Sequence, residues 1–273
     1  MIRLSFVCGL LAAALSLSTH GVVAATSAAD PALIKAVDDP ARQSANRARD
    51  PYRHPVETLS FFGLKPDMTL VEMLPGGGGW YAEILSPYLA AKGHYVAAVP
   101  PVEEGRSFQA LAASDPGRFG KAQVVVFKAG QANALVPDGS ADMIVTFRNI
   151  HNLLGSPEKA GDGAAPQAFA DWFRALKPGG ILGIVEHRLP ESMDAAREKT
   201  TGYVRRSTVV RLATAAGFRL AGSSDVNANP KDDHDHAKGV WTLPPSYALG
   251  DVDRAKYAAI GESDRMTLKF VKP

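Results

Sequence analysis

A short apolar run that ends in a proline and four consecutive glycines constrains this chain more than any other feature. Residues 69–74 are apolar except for Glu72, and Pro75 followed by Gly76, Gly77, Gly78 and Gly79 stops the run. Apolar side chains then recur at helical spacing, at Tyr81, Ile84, Leu85, Tyr88 and Leu89. The order is buried strand, glycine turn, helix. At the carboxyl end of a parallel strand such a turn leaves room for a ligand, because glycine takes positive φ freely and lets a bound molecule approach the main chain. The helix start adds unpaired N–H groups and a partial positive charge. A turn of this kind also serves α/β proteins of many other functions.

The spacing narrows the ligand. A phosphate-cradling loop needs a Lys directly after its last glycine, and none follows here. A dinucleotide fingerprint needs a third glycine where this chain has Tyr81 or Ala82. What remains is an acid two-thirds along the strand with a glycine cluster four residues later.

The N-terminus has the parts of a secretory signal peptide: Arg3, an apolar core from Leu4 to Leu17, and Val22-Val23-Ala24 before Ala25. That core is short for a membrane span, the alternative being an uncleaved anchor. We expect residues 1–24 to be a signal peptide and 25–273 a single domain, periplasmic or secreted, without stable membrane insertion after cleavage. The lone cysteine, Cys8, would leave with the peptide, so a mature chain has no thiol for a disulfide, nucleophile or metal site. The remainder is close to neutral, which gives no electrostatic case for a nucleic-acid partner. Composition and spacing leave the oligomeric state open.

Alternating apolar runs and helical patterns continue along the chain. Strands are expected at 69–74, 95–99, 124–127, 141–147, 181–186, 218–222 and 266–271. Helices are expected at 55–62, from Trp80 and strained or ended near Pro87, at 169–176 and at 208–216, with a turn at 177–180. This is an α/β chain with a doubly wound, mostly parallel seven-stranded sheet, helices on both faces, and the last strand antiparallel.

Four segments in this order resemble the class I S-adenosylmethionine-dependent methyltransferases: Glu72 with its glycine turn, residues 142–153, Leu176-Lys177-Pro178-Gly179-Gly180, and Ala215-Ala216-Gly217-Phe218. The segments 49–55, Glu186-His187-Arg188 and 261–265 are similar to a bacterial group of signal-peptide-bearing predicted methyltransferases. The resemblance implies a Rossmann-like fold and S-adenosylmethionine as cofactor, held at Glu72, Gly76 and Gly78, and leaves the methyl acceptor open; our leading expectation is a small molecule. The chain departs from the pattern in three places. Leu74 stands where the motif has its first glycine. Val99, then Pro100 and Pro101, stand where an acid usually grips the ribose. Glu103 or Glu104 is either a replacement for that acid or a solvated charge. Gln131 stands in place of an acid beside the adenine amine, where its amide oxygen can accept.

Asn149 and His151 follow the fourth strand, where a loop at that edge faces the site. We expect Asn149 to touch both cofactor and reacting centre, and His151 to be a base or a helix-capping residue. His187, after the fifth strand, is expected across from His151 rather than paired with Glu186, because neighbours on a strand point to opposite faces. The tract Asp232-Asp233-His234-Asp235-His236 is a solvated loop, a lid with Trp241 and Tyr247, or a metal site built on His234 and His236. The leading reading assigns no metal. The competing functions are a methyltransferase-fold binding protein without turnover and a metal-dependent hydrolase.

Overall fold

The computed structural model describes residues 29–273, with the side chains of 102–107 outside the description. The expected signal peptide therefore lies outside the described residues, as do the side chains of Glu103 and Glu104. No helix among the described residues is long and apolar enough to cross a membrane.

The strands are β1 (Thr69–Met73), β2 (His94–Val99), β3 (Gln123–Val126), β4 (Ala141–Phe147), β5 (Leu176–Leu189), β6 (Val204–Arg205), β7 (Arg219–Ser224) and β8 (Arg265–Val271). They form one sheet in the order β3-β2-β1-β4-β5-β8-β7, with β6 paired to β5 off that path. Only β8 runs against its neighbours. The expected seven strands are all present, and the two-residue β6 is an addition too short to show in hydrophobic periodicity. Strand order reverses between β1 and β4, and the crevice at the carboxyl ends there is where ligands of open α/β sheets bind.

Alternation along the strands builds a core on each face. Leu70, Met143, Val145 and Val185 face the helices Pro31–Val37, Pro55–Phe62 and Ala82–Leu89. Val71, Met73, Ile144, Leu182 and Ile184 face Ala165–Ala175 and Arg206–Ala215. Gly183 on β5 is needed for close approach, since a Cβ there would lie 2.7 Å from the Phe62 ring.

Two local expectations change. The stretch 177–180 is not a turn but a bulge inside β5, where the pairing to β4 skips from Ala141↔Leu176 to Met143↔Ile181. It holds because strand pairing resumes on the other side, with the Gly179 N–H donating to the Lys272 carbonyl at 2.8 Å. The second change is at Pro87, which does not end its helix; the helix continues to Leu89. Proline removes the N–H that would bond the Glu83 carbonyl. Arg118 replaces it, donating from Nη1 to that carbonyl at 2.7 Å, while its Nη2 donates to Asp39 at 2.7 Å.

This compensation predicts that Arg118→Ala costs about 1–3 kcal/mol in urea denaturation, because a buried carbonyl loses its donor. Adding Pro87→Ala to that variant restores a helical N–H and should recover part of the loss. Strictly additive effects in the double variant would refute the compensation.

Candidate active site

The carboxyl ends of β1, β4 and β5 meet at a cavity of about 220 Å³. This is smaller than the roughly 300–1,000 Å³ of ordinary small-molecule pockets. Its walls come from the glycine turn, the residues after β4 and β5, Arg53 before the helix Pro55–Phe62, the segment 240–246, and Glu262-Ser263 before β8.

At the glycine turn, Leu74 takes the left-handed conformation, with φ of 52°. The motif's usual glycine would adopt it freely, so Leu74 carries local strain. Its N–H still donates to the Ala98 carbonyl at 2.8 Å, extending the β1–β2 ladder by one bond. Gly76 also has positive φ, at 70°, and a Cβ there would meet nothing within 4 Å, so the bend is bare toward the cavity. Gly78 is placed differently from the expectation. It does not line the cavity, and its carbonyl accepts from Asn46 Nδ2 at 2.9 Å on the side facing the N-terminal segment. Gln131 is exposed and away from the cavity wall. The local loop is closed instead by Asn133, which bonds the Lys128 backbone and the Gln131 carbonyl.

Glu72 is 2% exposed, and its Oε2 accepts from the Tyr95 hydroxyl at 2.6 Å. Burial pushes its carboxyl up to about 8, against a lowering by that hydrogen bond. Asn149 borders the cavity, but its Nδ2 is committed to the Met73 carbonyl at 3.0 Å and Thr146 Oγ1 at 3.3 Å. It ties the end of β1 to the end of β4. Arg148, beside it, has φ of 62°, so two non-glycine residues at adjacent strand ends are left-handed around one cavity.

His151 and Glu186 form a dyad, with His151 Nδ1 3.0 Å from Glu186 Oε1. Glu186 is fully buried, and its Oε2 accepts from the Ile150 N–H at 2.5 Å. Glu186 and His187 do not pair through their side chains: the His187 backbone N–H donates to Glu186 Oε1 at 2.9 Å, and the His187 ring turns to Ser263, with Nδ1 2.5 Å from its Oγ. The rings of His151 and His187 stand 5.4 Å apart. Burial first, then His151, Arg148, Arg265 and Arg53, holds the His187 imidazole well below its ordinary pKa, so it is neutral. Glu186 as the partner of His151, and Ser263 as the partner of His187, were not visible in the sequence. The only signal was a polar triplet directly after an apolar strand.

One carboxylate serves the arginines here. Glu262 lies 2.6 Å from Arg49 Nε, 3.3 Å from Arg53 Nε and 3.0 Å from Arg265 Nη1. Burial alone would raise its carboxyl, but those cations outweigh burial and bring it down to about 2. The Arg53 guanidinium also sits 4.7 Å over the Trp80 ring.

The tract after Pro230 folds as scaffold. His234 Nε2 lies 3.2 Å from Asp264 Oδ2, while His236 Nε2 lies 2.8 Å from Asp232 Oδ1. The chain does not run extended there, because His234 has φ of 64°, and the two rings go to separate carboxylates. The alternative of a His234–His236 ligand pair therefore does not hold; His236 instead has ligand atoms within 4.8 Å of those of Asp232 and Asp233. Asp232 also accepts from Tyr203 Oη and from the Asp264 N–H, which fixes the start of β8. Trp241 does reach the cavity, with Pro244 and Pro245, whereas Tyr247 lies outside it under Arg254. Among the described residues His151, Glu186 and His187 bring ligand atoms within 4.8 Å of one another. Arg53, Arg148 and Arg265 surround that trio with positive charge, which opposes a dication.

No family model and no curated protein matches the chain. Solved structures do. A S-adenosylmethionine-dependent methyltransferase from Aquifex aeolicus superposes with a TM-score of 0.55 at 18% identity, covering 89% of this chain and 99% of that one. The [4+2]-cyclase SpnF gives 0.54 at 16%, covering 85% and 82%. A putative sarcosine dimethylglycine methyltransferase from Galdieria sulphuraria gives 0.54 at 14%, covering 83% and 84%. The chain has the class I methyltransferase fold. Within that fold the cavity described above lies at the switch point, over the bare bend at Gly76.

The contrast between the glycines is testable. Gly76→Ala should cost about 1 kcal/mol or more, the penalty for a Cβ at positive φ, whereas Gly78→Ala, whose Cβ would rest 3.8 Å from Asn46 Oδ1, should be near neutral. Equal losses in chemical denaturation would contradict this placement. Glu72 gives a pH test. The unfolded chain loses this proton near pH 4.5 and the folded chain keeps it to about 8, so stability falls as pH rises through that window. Glu72→Gln should flatten the fall, matching the parent near pH 5 and exceeding it at pH 8.

Proposed function

We propose that the chain is a S-adenosylmethionine-dependent methyltransferase acting on a small-molecule acceptor, exported to the periplasm or secreted. The observation that carries this reading is the bare bend at Gly76, open to a cavity at the switch point of a sheet with the methyltransferase strand order. The signal-peptide pattern of residues 1–24 supports export. The near-neutral charge supports a small molecule rather than a nucleic acid as partner.

The residues present fit the amino-acid half of this cofactor. Gly76 leaves the main chain accessible, and Glu72 borders the same cavity. At the ribose position Val99 is fully buried and precedes two prolines, so that usual contact is missing among the described side chains. When bound, the cofactor supplies a methyl group already activated for displacement, and alignment then provides much of the rate. The chain's own part is to position and to handle a proton. Asn149 holds the β1 end against β4 and so fixes the bend. Glu72, protonated at neutral pH in the free chain, is driven toward its ionised form by a cation placed beside it. With its Nδ1–H donated to Glu186, His151 presents Nε2 to take a proton from a hydroxyl or amine acceptor. Glu186 orients that ring. Trp241, Pro244 and Pro245 cover the cavity and limit water.

A second reading, a binding protein of this fold without turnover, is favoured by the missing ribose carboxylate at Val99. A neighbour described as a [4+2]-cyclase shows that the fold alone does not select methyl transfer.

Calorimetric titration with S-adenosylmethionine and S-adenosylhomocysteine, in two buffers of different ionisation enthalpy, tests the proposal. Binding should occur with proton release at pH 7, and Glu72→Gln should abolish the buffer dependence. No heat at millimolar ligand would falsify the cofactor. Binding without methyl transfer to any of a panel of amines, phenols and thiols would select the second reading.

A further inference from the structure

The cavity holds more positive charge than methyl transfer requires. Glu262 is already shared by Arg49, Arg53 and Arg265. Arg148 borders the cavity, is partly accessible, and has no side-chain hydrogen bond or ion pair among the described residues. Behind it Arg53 is 1% exposed, with Nη1 and Nη2 lacking any partner, and its plane is fixed by Trp80. Unpaired guanidinium N–H groups in a buried wall are costly, and an oxyanion is their natural complement. The other polar groups there do not supply one. Glu72 is occupied by Tyr95, and Ser263 by His187.

The position of these cations separates them from the adenosine side. Among the described residues, none that lines the cavity comes from between Tyr81 and Phe147, the stretch that contains β2 and β3. Arg148 follows β4, beside the His151–Glu186 dyad, and Arg53 comes from the N-terminal segment. Both therefore flank the proton-accepting imidazole rather than the nucleoside end of the crevice.

We propose that the methyl acceptor carries a carboxylate or phosphate group, and that this group is seated on Arg148 with Arg53 as the second charge behind it. The proposal rests on the methyl-transfer reading. It makes the acceptor a small organic anion whose hydroxyl, amine or other nucleophilic atom falls near His151 when its charged end is anchored. The confined volume, about 220 Å³, agrees with a small acceptor.

The test measures thermal stability and calorimetric binding of the full chain with sodium succinate, sodium phosphate, neutral succinamide, and sodium chloride at matched ionic strength. Succinate or phosphate should bind and raise the melting temperature, while succinamide and chloride should not; the stronger of the two oxyanions identifies the headgroup. Arg148→Gln should weaken that binding at least tenfold, and Arg148→Lys should weaken it less. Arg254→Gln, at a cation that stacks on Tyr247 away from the cavity, should leave it unchanged. If Arg148→Gln does not fold, the comparison of Arg148→Lys with Arg254→Gln decides. Equal effects of succinate, succinamide and chloride overturn the proposal, as does undiminished oxyanion binding in a folded Arg148→Gln. Titration of the same proteins with S-adenosylhomocysteine separates the two readings. If Arg148→Gln weakens that ligand as much as it weakens the oxyanion, Arg148 belongs to the cofactor and the proposal fails while the methyl-transfer reading stands. If S-adenosylhomocysteine does not bind but the oxyanion does, the anion site stands and the methyl-transfer reading alone fails.

Discussion

The site depends on one carboxylate. Glu262 draws Arg49 and Arg53 from the N-terminal segment and Arg265 from the start of β8 onto a single buried group. Removing one partner of such a cluster leaves uncompensated charge in a low-dielectric interior, a strongly destabilising change. The segment before the first long helix therefore cannot leave the sheet without exposing the arginines' shared counter-ion. Its grip is reinforced next door, where Asn46 holds Gly78 and Glu83 and the Trp80 indole donates to the Asn46 carbonyl at 2.7 Å. One wall of the cavity is built by sequence-distant residues that meet only through these polar contacts.

A second constraint comes from the scaffold on the opposite side. Arg188 makes two bonds to Asp264, at 2.7 and 2.8 Å, and Asp232 receives Tyr203, His236 and the Asp264 N–H. These bonds fix residues 262–265, and with them Glu262 and Ser263. The histidine-rich tract thus acts on the chemistry at a distance. It sets where Ser263 holds His187 and where Glu262 meets its arginines, and neither of its imidazoles enters the cavity. The strain at Leu74 and Arg148 belongs to the same design. Each is a side chain held at positive φ at the end of a strand, and the strand pairing continues past both, through Ala98 and Val185 respectively. A strained conformation that the ladder over-determines, repeated at two neighbouring strand ends, is the pattern expected where geometry serves a ligand.

The fold was largely legible in the sequence because its signals are local. Period-two burial and the glycine bend each depend on a few adjacent residues, and a sheet with alternating helices follows from their order. The site was less legible because its partners are non-local. Asn149 reads as a catalytic side chain after β4, yet the Met73 carbonyl, 76 residues earlier in the chain, claims its amide. Gly78 and Gly76 look equivalent in a run of four, and only the backbone turn shows which one is bare toward the cavity. His234 and His236 have the spacing of a ligand pair, but His234 is itself left-handed, and the rings go to different carboxylates. Arg148 carries no signature at all; what matters about it is that, among the described residues, its side chain has no hydrogen bond or ion pair while Glu262 is shared by three other arginines, and no linear pattern encodes that.

Among the described side chains no carboxylate stands at the ribose position, which changes where binding energy for the proposed cofactor must come from. In a site that grips the nucleoside through an acid at the end of β2, that contact is a charge-assisted pair of hydrogen bonds, stronger than neutral ones. Here β2 ends in a fully buried Val99 and two prolines, so the nucleoside half has less to offer. The remaining charge lies at the other end of the crevice: Glu72 beside the glycine bend, and the arginines beside His151. Glu72 starts protonated and gains its charge only against a cation, while Arg148 is already charged and has no hydrogen-bonded anion among the described residues. In the proposed reading, a ligand set with a cation over Glu72 and an anion on Arg148 would neutralise both at once, and each ligand would lower the cost of the other.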